Sequence, residues 1–324
     1  MFERKAVTVR LSYSLKDTRI EYERFKDLLE GEGFDTYVPR RRTPGEVFSA
    51  VANRLAGTHR LDGFRYKVIV AETYDSEKLI EKVVLAAKLD RRNRKITDGD
   101  KVARLLFNKD TRSITSVFAE TTPTWGYEEL ERDLKPCPRF LREAIERLTE
   151  EMDVEQALAS SSQVRGAFLR IVSSVGIPVD GILATWNLPV TQAKVAESLR
   201  RIAKEINQEA GQRVMRFDAI EIYDGSDLIQ DIRADALVFA AKEFRRLLVH
   251  EQEKIEIDPD PDQAHRVAMA RFSKEAEKLM TMIGQHRESL GEEVEKIDGL
   301  RKEFERLLEV YEVPNRYAEI LMAI

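Results

Sequence analysis

The order of elements in the sequence predicts an α+β protein. Its expected parts are an N-terminal antiparallel sheet packed on two helices, a middle βαβα-like region rich in helix, and a C-terminal helical hairpin or short coiled coil. Three observations carry this expectation. Residues 6–14 alternate apolar and polar, residues 64–119 fall into short β-rich runs, and residues 269–311 repeat apolar positions in steps of three and four. The implied organisation is a basic α+β domain over 1–120, a connector over 121–138, a helix-rich α/β domain over 139–257 and a helical segment over 258–324.

In the opening strand Val7, Val9, Leu11 and Tyr13 alternate with Thr8, Arg10, Ser12 and Ser14. One face therefore goes to a core, and the other offers hydroxyls and an arginine. Thr18 and Glu21 have capping-box spacing for a helix that buries Tyr22, Phe25, Leu28 and Leu29 and stops at Gly31 or Gly33. A second helix has Thr43 as N-cap, Pro44 in the first turn, Glu46 closing the box, and an apolar stripe of Val47, Phe48, Val51 and Leu55 before Gly57. The runs Tyr66–Ala71, Val83–Leu89, Val102–Phe107 and Ile114–Phe118 read as an antiparallel meander on these two helices, with turns at Asp98-Gly99-Asp100 and Asn108-Lys109-Asp110. Ser76–Leu89 fits a helix equally well, with Leu79, Val83 and Ala86 inward.

Beyond Pro136 and Pro138, residues 139–175 read as one or two amphipathic helices. A strand at Gly181–Leu188, a helix at Thr191–Ala210, a strand at Arg213–Tyr223 and a long helix at Ser226–Glu253 follow. A connection through a helix permits parallel strands, in a unit of their own or added to the first sheet. Asp258-Pro259-Asp260-Pro261-Asp262 interrupts the helical pattern. Past it, Met269, Phe272, Ala276, Leu279, Ile283, His286 and Leu290 form one a/d seam. Val294, Ile297, Arg301, Phe304, Leu308 and Tyr311 form another, with a break of phase at Gly291. Such seams serve either packing within the chain or contact between copies.

Charge is unevenly spread. The chain carries −5 overall, yet residues 1–120 hold 25 Lys+Arg against 19 Asp+Glu, and the other 204 hold 28 against 39. The cations form three clusters: Arg40-Arg41-Arg42, Arg60 with Arg65 and Lys67, and Arg91-Arg92-Asn93-Arg94-Lys95. A basic region on an acidic body predicts a surface facing a polyanion, nucleic acid above all. Arg40, Arg41 and Arg42 lead through Thr43 into a helix N-terminus, where free N–H groups favour phosphate, although Glu46 offers a local partner. Arg91, Arg92, Arg94 and Lys95 suit a loop that tracks a nucleic-acid backbone. The strand aromatics Tyr13, Phe64, Tyr66 and Phe107 serve either as a base-stacking platform or as core.

Motifs for other chemistry fail. There is no G-x-x-x-x-G-K-[ST], and Gly31-Glu32-Gly33 ends a helix rather than opening one. The run from Asp258 lacks the glycine and terminal glutamate of a calcium loop. The four histidines share no ligand spacing, and one cysteine excludes a disulfide framework. Lys135 and Arg139 flank that residue, Cys137, and offer a route to a lowered pKa, but an inert connector thiol is the expectation. Asp218 and Asp224, on one strand face, are the alternative route to a metal-dependent nuclease or hydrolase. Apolar runs such as residues 236–241 fall far short of the roughly 20 residues of a membrane span. The N-terminus has no apolar targeting segment. The expectation is therefore a cytoplasmic binding or assembly protein without a cofactor or membrane contact. It has a nucleic-acid-facing basic domain and a helical tail for self-association or docking. A structural protein without nucleic acid is the further alternative.

Overall fold

Alternation makes Ala6–Leu15 a ten-residue strand, β1, and buries Val9, Leu11 and Tyr13 on one face. The computed structural model describes residues 5–16, 18–61, 64–90, 99–119, 133–182, 184–257 and 261–310. The chain divides into two units, residues 1–39 with 160–324 and residues 40–159. β1 and helix α1 (Tyr22–Gly31) open the first. The second holds α2 (Pro44–Asn53), strands β2 (Gly57–Leu61), β3 (Phe64–Asp75), β4 (Leu79–Leu89), β5 (Asp100–Asn108) and β6 (Ser113–Phe118), then α3 (Arg139–Glu146) and α4 (Leu148–Gln156). The first unit resumes with α5 (Ser161–Ser173), β7 (Ile177–Pro178), β8 (Thr185–Pro189), α6 (Ala193–Glu209) and β9 (Met215–Tyr223). It ends with α7 (Leu228–Ile257), α8 (Pro261–Gln285) and α9 (Glu293–Val310). The protein is α+β, as its sequence predicts.

In the second unit the five strands form an antiparallel meander in chain order. Val47, Phe48 and Val51 of α2, with Leu141, Ile145, Leu148 and Met152 of α3 and α4, pack on Val68, Val84, Leu105 and Phe107. The rings of Phe48 and Phe107 stack with centroids 5.0 Å apart. The capping box at Thr43 and Glu46 forms as its spacing predicts. Residues 79–89 are a strand, not a helix. They lie between β3 and β5, where Ile80, Val83 and Val84 are buried and their branched side chains suit a pleated surface.

The first unit has a sheet in the order β9-β1-β8-β7, with β8 and β9 both antiparallel to β1. The two flanking strands therefore run parallel to each other, joined through α6, with β1 between them. The opening strand thus lies outside the meander, and of the two arrangements open to the middle strands the fold takes the one in which they pair with β1. Periodicity reports the face a strand buries but not its neighbours, because pairing is non-local. Beneath the sheet Tyr13 stacks on Trp186, centroids 5.6 Å apart, and touches Phe168. The box at Thr18 and Glu21 does not form: α1 starts at Tyr22 without a side-chain cap, and the Thr18 N–H donates to Ser161 Oγ at 2.9 Å.

Both heptad seams close within the chain. Phe272, Ala276, Ile283, Leu290, Ile297, Phe304 and Leu308 are buried in one cluster with Ile232, Ala236, Phe244 and Leu248 of α7. The C-terminal hairpin is thus two arms of a three-helix arrangement, reversing near Gly291, whose φ of +58° suits glycine. No helix among the described residues is long and apolar enough to cross a membrane. Arg91, Arg92, Arg94 and Lys95, most of the connector, Asp258 to Asp260 and Tyr311 lie outside the described residues.

Candidate functional site

The β2–β3 hairpin sets Thr58 opposite Lys67 and Arg60 opposite Arg65. Side chains alternate along a strand, and Val68 and Val70 point to the helices. Arg65, Lys67 and Ile69 therefore share the other face with Thr58 and Arg60. Arg60 and Lys67 are exposed and have no ion-pair partner among the described residues, while Arg65 is half-buried and partnered. Further across the same face every cation is answered. Arg104 of β5 pairs with Glu81 at 2.6 Å and Asp133 at 3.1 Å, and Lys101 also pairs with Asp133. Lys101, then Arg104, hold the Asp133 carboxyl below its ordinary pKa. One edge of this sheet face is electrically matched and the other is not. Like charges directly opposite on neighbouring strands cost a few tenths to about 1 kcal/mol.

The first arginine cluster is placed differently. Arg40 Nη1 donates to Glu46 at 3.0 Å, an interaction that lowers the Glu46 pKa. The same carboxylate accepts the Thr43 N–H at 2.8 Å, and Thr43 Oγ1 accepts the Glu46 N–H at 3.3 Å. Arg41 is exposed but not without a partner. Arg42 is almost enclosed: it donates to Glu155 Oε1 at 2.9 Å and to the carbonyls of Glu155 and Leu158 at 2.8 and 3.0 Å. Arg54 takes the other Glu155 oxygen at 2.6 Å. Arg42 is thus an anchor between α2 and α4, and the anion-binding capacity of this helix start is largely satisfied internally. These residues belong to the helix layer, on the opposite side of the sheet from Arg60 and Lys67.

None of the four strand aromatics joins the cationic face. Tyr66 packs on Phe140, Phe107 on Phe48 and Tyr13 on Trp186, while Lys88 Nζ sits 3.3 Å over the Phe64 ring. Tyr13 and Phe107 are core, Tyr66 is half-buried, and Phe64 is exposed beneath Lys88, so the four do not form one base-stacking platform.

In the first unit Asp218 is held by Arg216 at 2.6 Å, and Asp224 Oδ1 accepts the Gly225 N–H at 3.0 Å in the turn after β9. Six residues of extended chain separate the two aspartates by roughly 20 Å, too far to share an ion. Among the described residues no group of three His, Cys, Asp or Glu side chains is placed to hold a metal. Cys137 is the inert thiol expected of it, not an activated one. Burial pushes its thiol up to about 11, with Arg142 opposing and Glu146 reinforcing.

Sequence reasoning missed a polar cluster built on the hydrophilic side of β1. Arg10 Nε donates to Asn187 Oδ1 at 2.9 Å and its Nη2 lies 4.0 Å from Asp235. Asp235 Oδ1 accepts the Asp180 N–H at 3.1 Å; burial raises the Asp235 pKa, against that hydrogen bond and the Arg10 charge. The alternation of β1 announced Arg10, but nothing local announced Asn187 or Asp235.

A family model described as a family of unknown function, DUF6744, matches residues 10–318. No curated protein and no solved structure matches the chain.

Proposed function

We propose that this chain, which belongs to the DUF6744 family, is a non-catalytic nucleic-acid-binding protein whose contact is the Arg60, Arg65 and Lys67 face of the β2–β3 hairpin. The observation that supports the reading is the unmatched edge of that sheet face. Among the described residues Arg60 and Lys67 have no ion-pair partner, while Arg104 and Lys101 a few strands away are neutralised. Exposed cations such as Arg60 and Lys67 are open to an external anion. Guanidinium and ammonium groups bind phosphate oxygens, contacts that hold a strand without reading its sequence. Binding is then indifferent to sequence and steeply dependent on salt. In this reading the protein works in the cytoplasm, where a single cysteine suits a reducing medium.

Fluorescence anisotropy of a labelled 20-mer duplex against increasing salt tests this. Each phosphate contact contributes about −0.9 to the slope of log affinity on log salt, so R60A/K67A should flatten the slope by about 2. An unchanged slope and affinity in that variant would rule the hairpin out as the contact.

A further inference from the structure

We propose that the first unit carries a separate binding groove for a nucleoside phosphate, between α6 and β9. The groove is a shallow, open one of about 550 Å³, a volume within the range of about 300–1,000 Å³ of small-ligand sites. Arg200 and Lys204 of α6 and Arg213 of the following turn line it, with Met215 and Phe217 of β9. Among the described residues no carboxylate does, Lys204 and Arg213 have no ion pair, and Arg200 makes one long hydrogen bond, 3.4 Å, to the Ala219 carbonyl. Two acids of α6, Glu205 and Glu209, are both bound to Arg24.

The turn that presents Arg213 is built. Asn207 Oδ1 accepts the N–H groups of Val214 and Met215, each at 2.8 Å, and its Nδ2 donates to the Met215 carbonyl at 2.7 Å. Arg213 is thereby set next to the last turn of α6. Part of the positive charge answers the carbonyl end of that helix. A helix C-terminus carries only about half a negative charge, however, against three cations here. The surplus calls for an anion with more than one charge, such as a phosphate. The half-buried Phe217 ring beside the cations adds a face on which a base can stack. Phosphate joined to a planar ring is the chemistry of a nucleotide, either free or as one unit of a strand. The inference is independent of the β2–β3 face.

Anisotropy titrations of the full chain with a fluorescent adenine nucleotide and with a labelled single-stranded 10-mer test it. K204E/R213E alters two exposed side chains and should weaken saturable binding of at least one probe by about tenfold or more. R60A/K67A should leave the mononucleotide unaffected. F217L should lower the preference for nucleotide over pyrophosphate without changing pyrophosphate binding. Saturation by the mononucleotide assigns a free nucleotide. Saturation by the 10-mer alone, lost in K204E/R213E, assigns a strand. The proposal is overturned if neither probe saturates below about 1 mM, or if K204E/R213E binds both as the parent does.

Discussion

Arg60 on β2 stands directly opposite Arg65 on β3, two guanidinium groups in one cross-strand pair on an exposed sheet face. A residue kept for stability would not be placed so. Replacing Arg60 by threonine, which suits a strand, should raise stability by about 0.2–1 kcal/mol in urea unfolding while weakening nucleic-acid binding. Opposite signs in the two measurements identify a binding residue; a joint loss would mark Arg60 as structural.

Arg42 should behave in the reverse way. Its carboxylate partner Glu155 is buried and divided between Arg42 and Arg54. Glu155→Gln should cost about 3–5 kcal/mol, since removing one member of a buried ion pair strands the others. Chemical denaturation reads this directly. Little change in the midpoint would show that the triad does not hold α2 to α4.

His286 makes stability depend on pH. It is fully buried, its Nε2 lies 3.1 Å from the Val175 carbonyl, and Nδ1 has no partner. Burial lowers its pKa from 6.5 to about 4. Between those two values the unfolded chain binds a proton that the folded chain refuses, so stability falls as pH drops through this window and the loss levels off below it. The loss is of order 3 kcal/mol at most. Thermal midpoints at intervals from pH 7 to pH 4 should fall less steeply for His286→Gln, and parallel curves would assign the titration elsewhere.

The raised pKa of Cys137 predicts a sluggish thiol. At a pKa of about 11 the thiolate fraction at pH 8 is about one in a thousand, against roughly a quarter for an ordinary cysteine. Alkylation by iodoacetamide should therefore be about two orders of magnitude slower in the folded protein than in urea. Equal rates would contradict the buried setting.

Phe272 tests the helical region. Its ring is fully buried among α7, α8 and α9. Phe272→Ala should destabilise by about 3–5 kcal/mol, seen as a lower midpoint for loss of helical ellipticity. A change below 1 kcal/mol would mean the seam is loosely packed.

Much of this architecture follows from local rules. The box at Thr43 and Glu46 needs only neighbours three residues apart, the reversal near Gly291 only a glycine, and the buried seams only a repeat that helical geometry converts to one face. The pattern of β1 likewise foretold which of its faces would be polar. Local rules also mislead when two of them fit, as at Ser76–Leu89, where a central strand buried on both faces loses its alternation.

What the amino-acid order alone determined is the α+β class, the helical faces, and the presence of surplus positive charge before residue 120. Tertiary structure decided which cations are consumed and which stay available. Arg42 is neutralised by a carboxylate 113 positions away, Arg104 by one 23 positions away, and Arg60 by none among the described residues. The same holds for β1, whose two strand partners come from beyond residue 184. Charge and apolarity are properties of single residues, but pairing depends on distances that exist only once the chain has closed on itself.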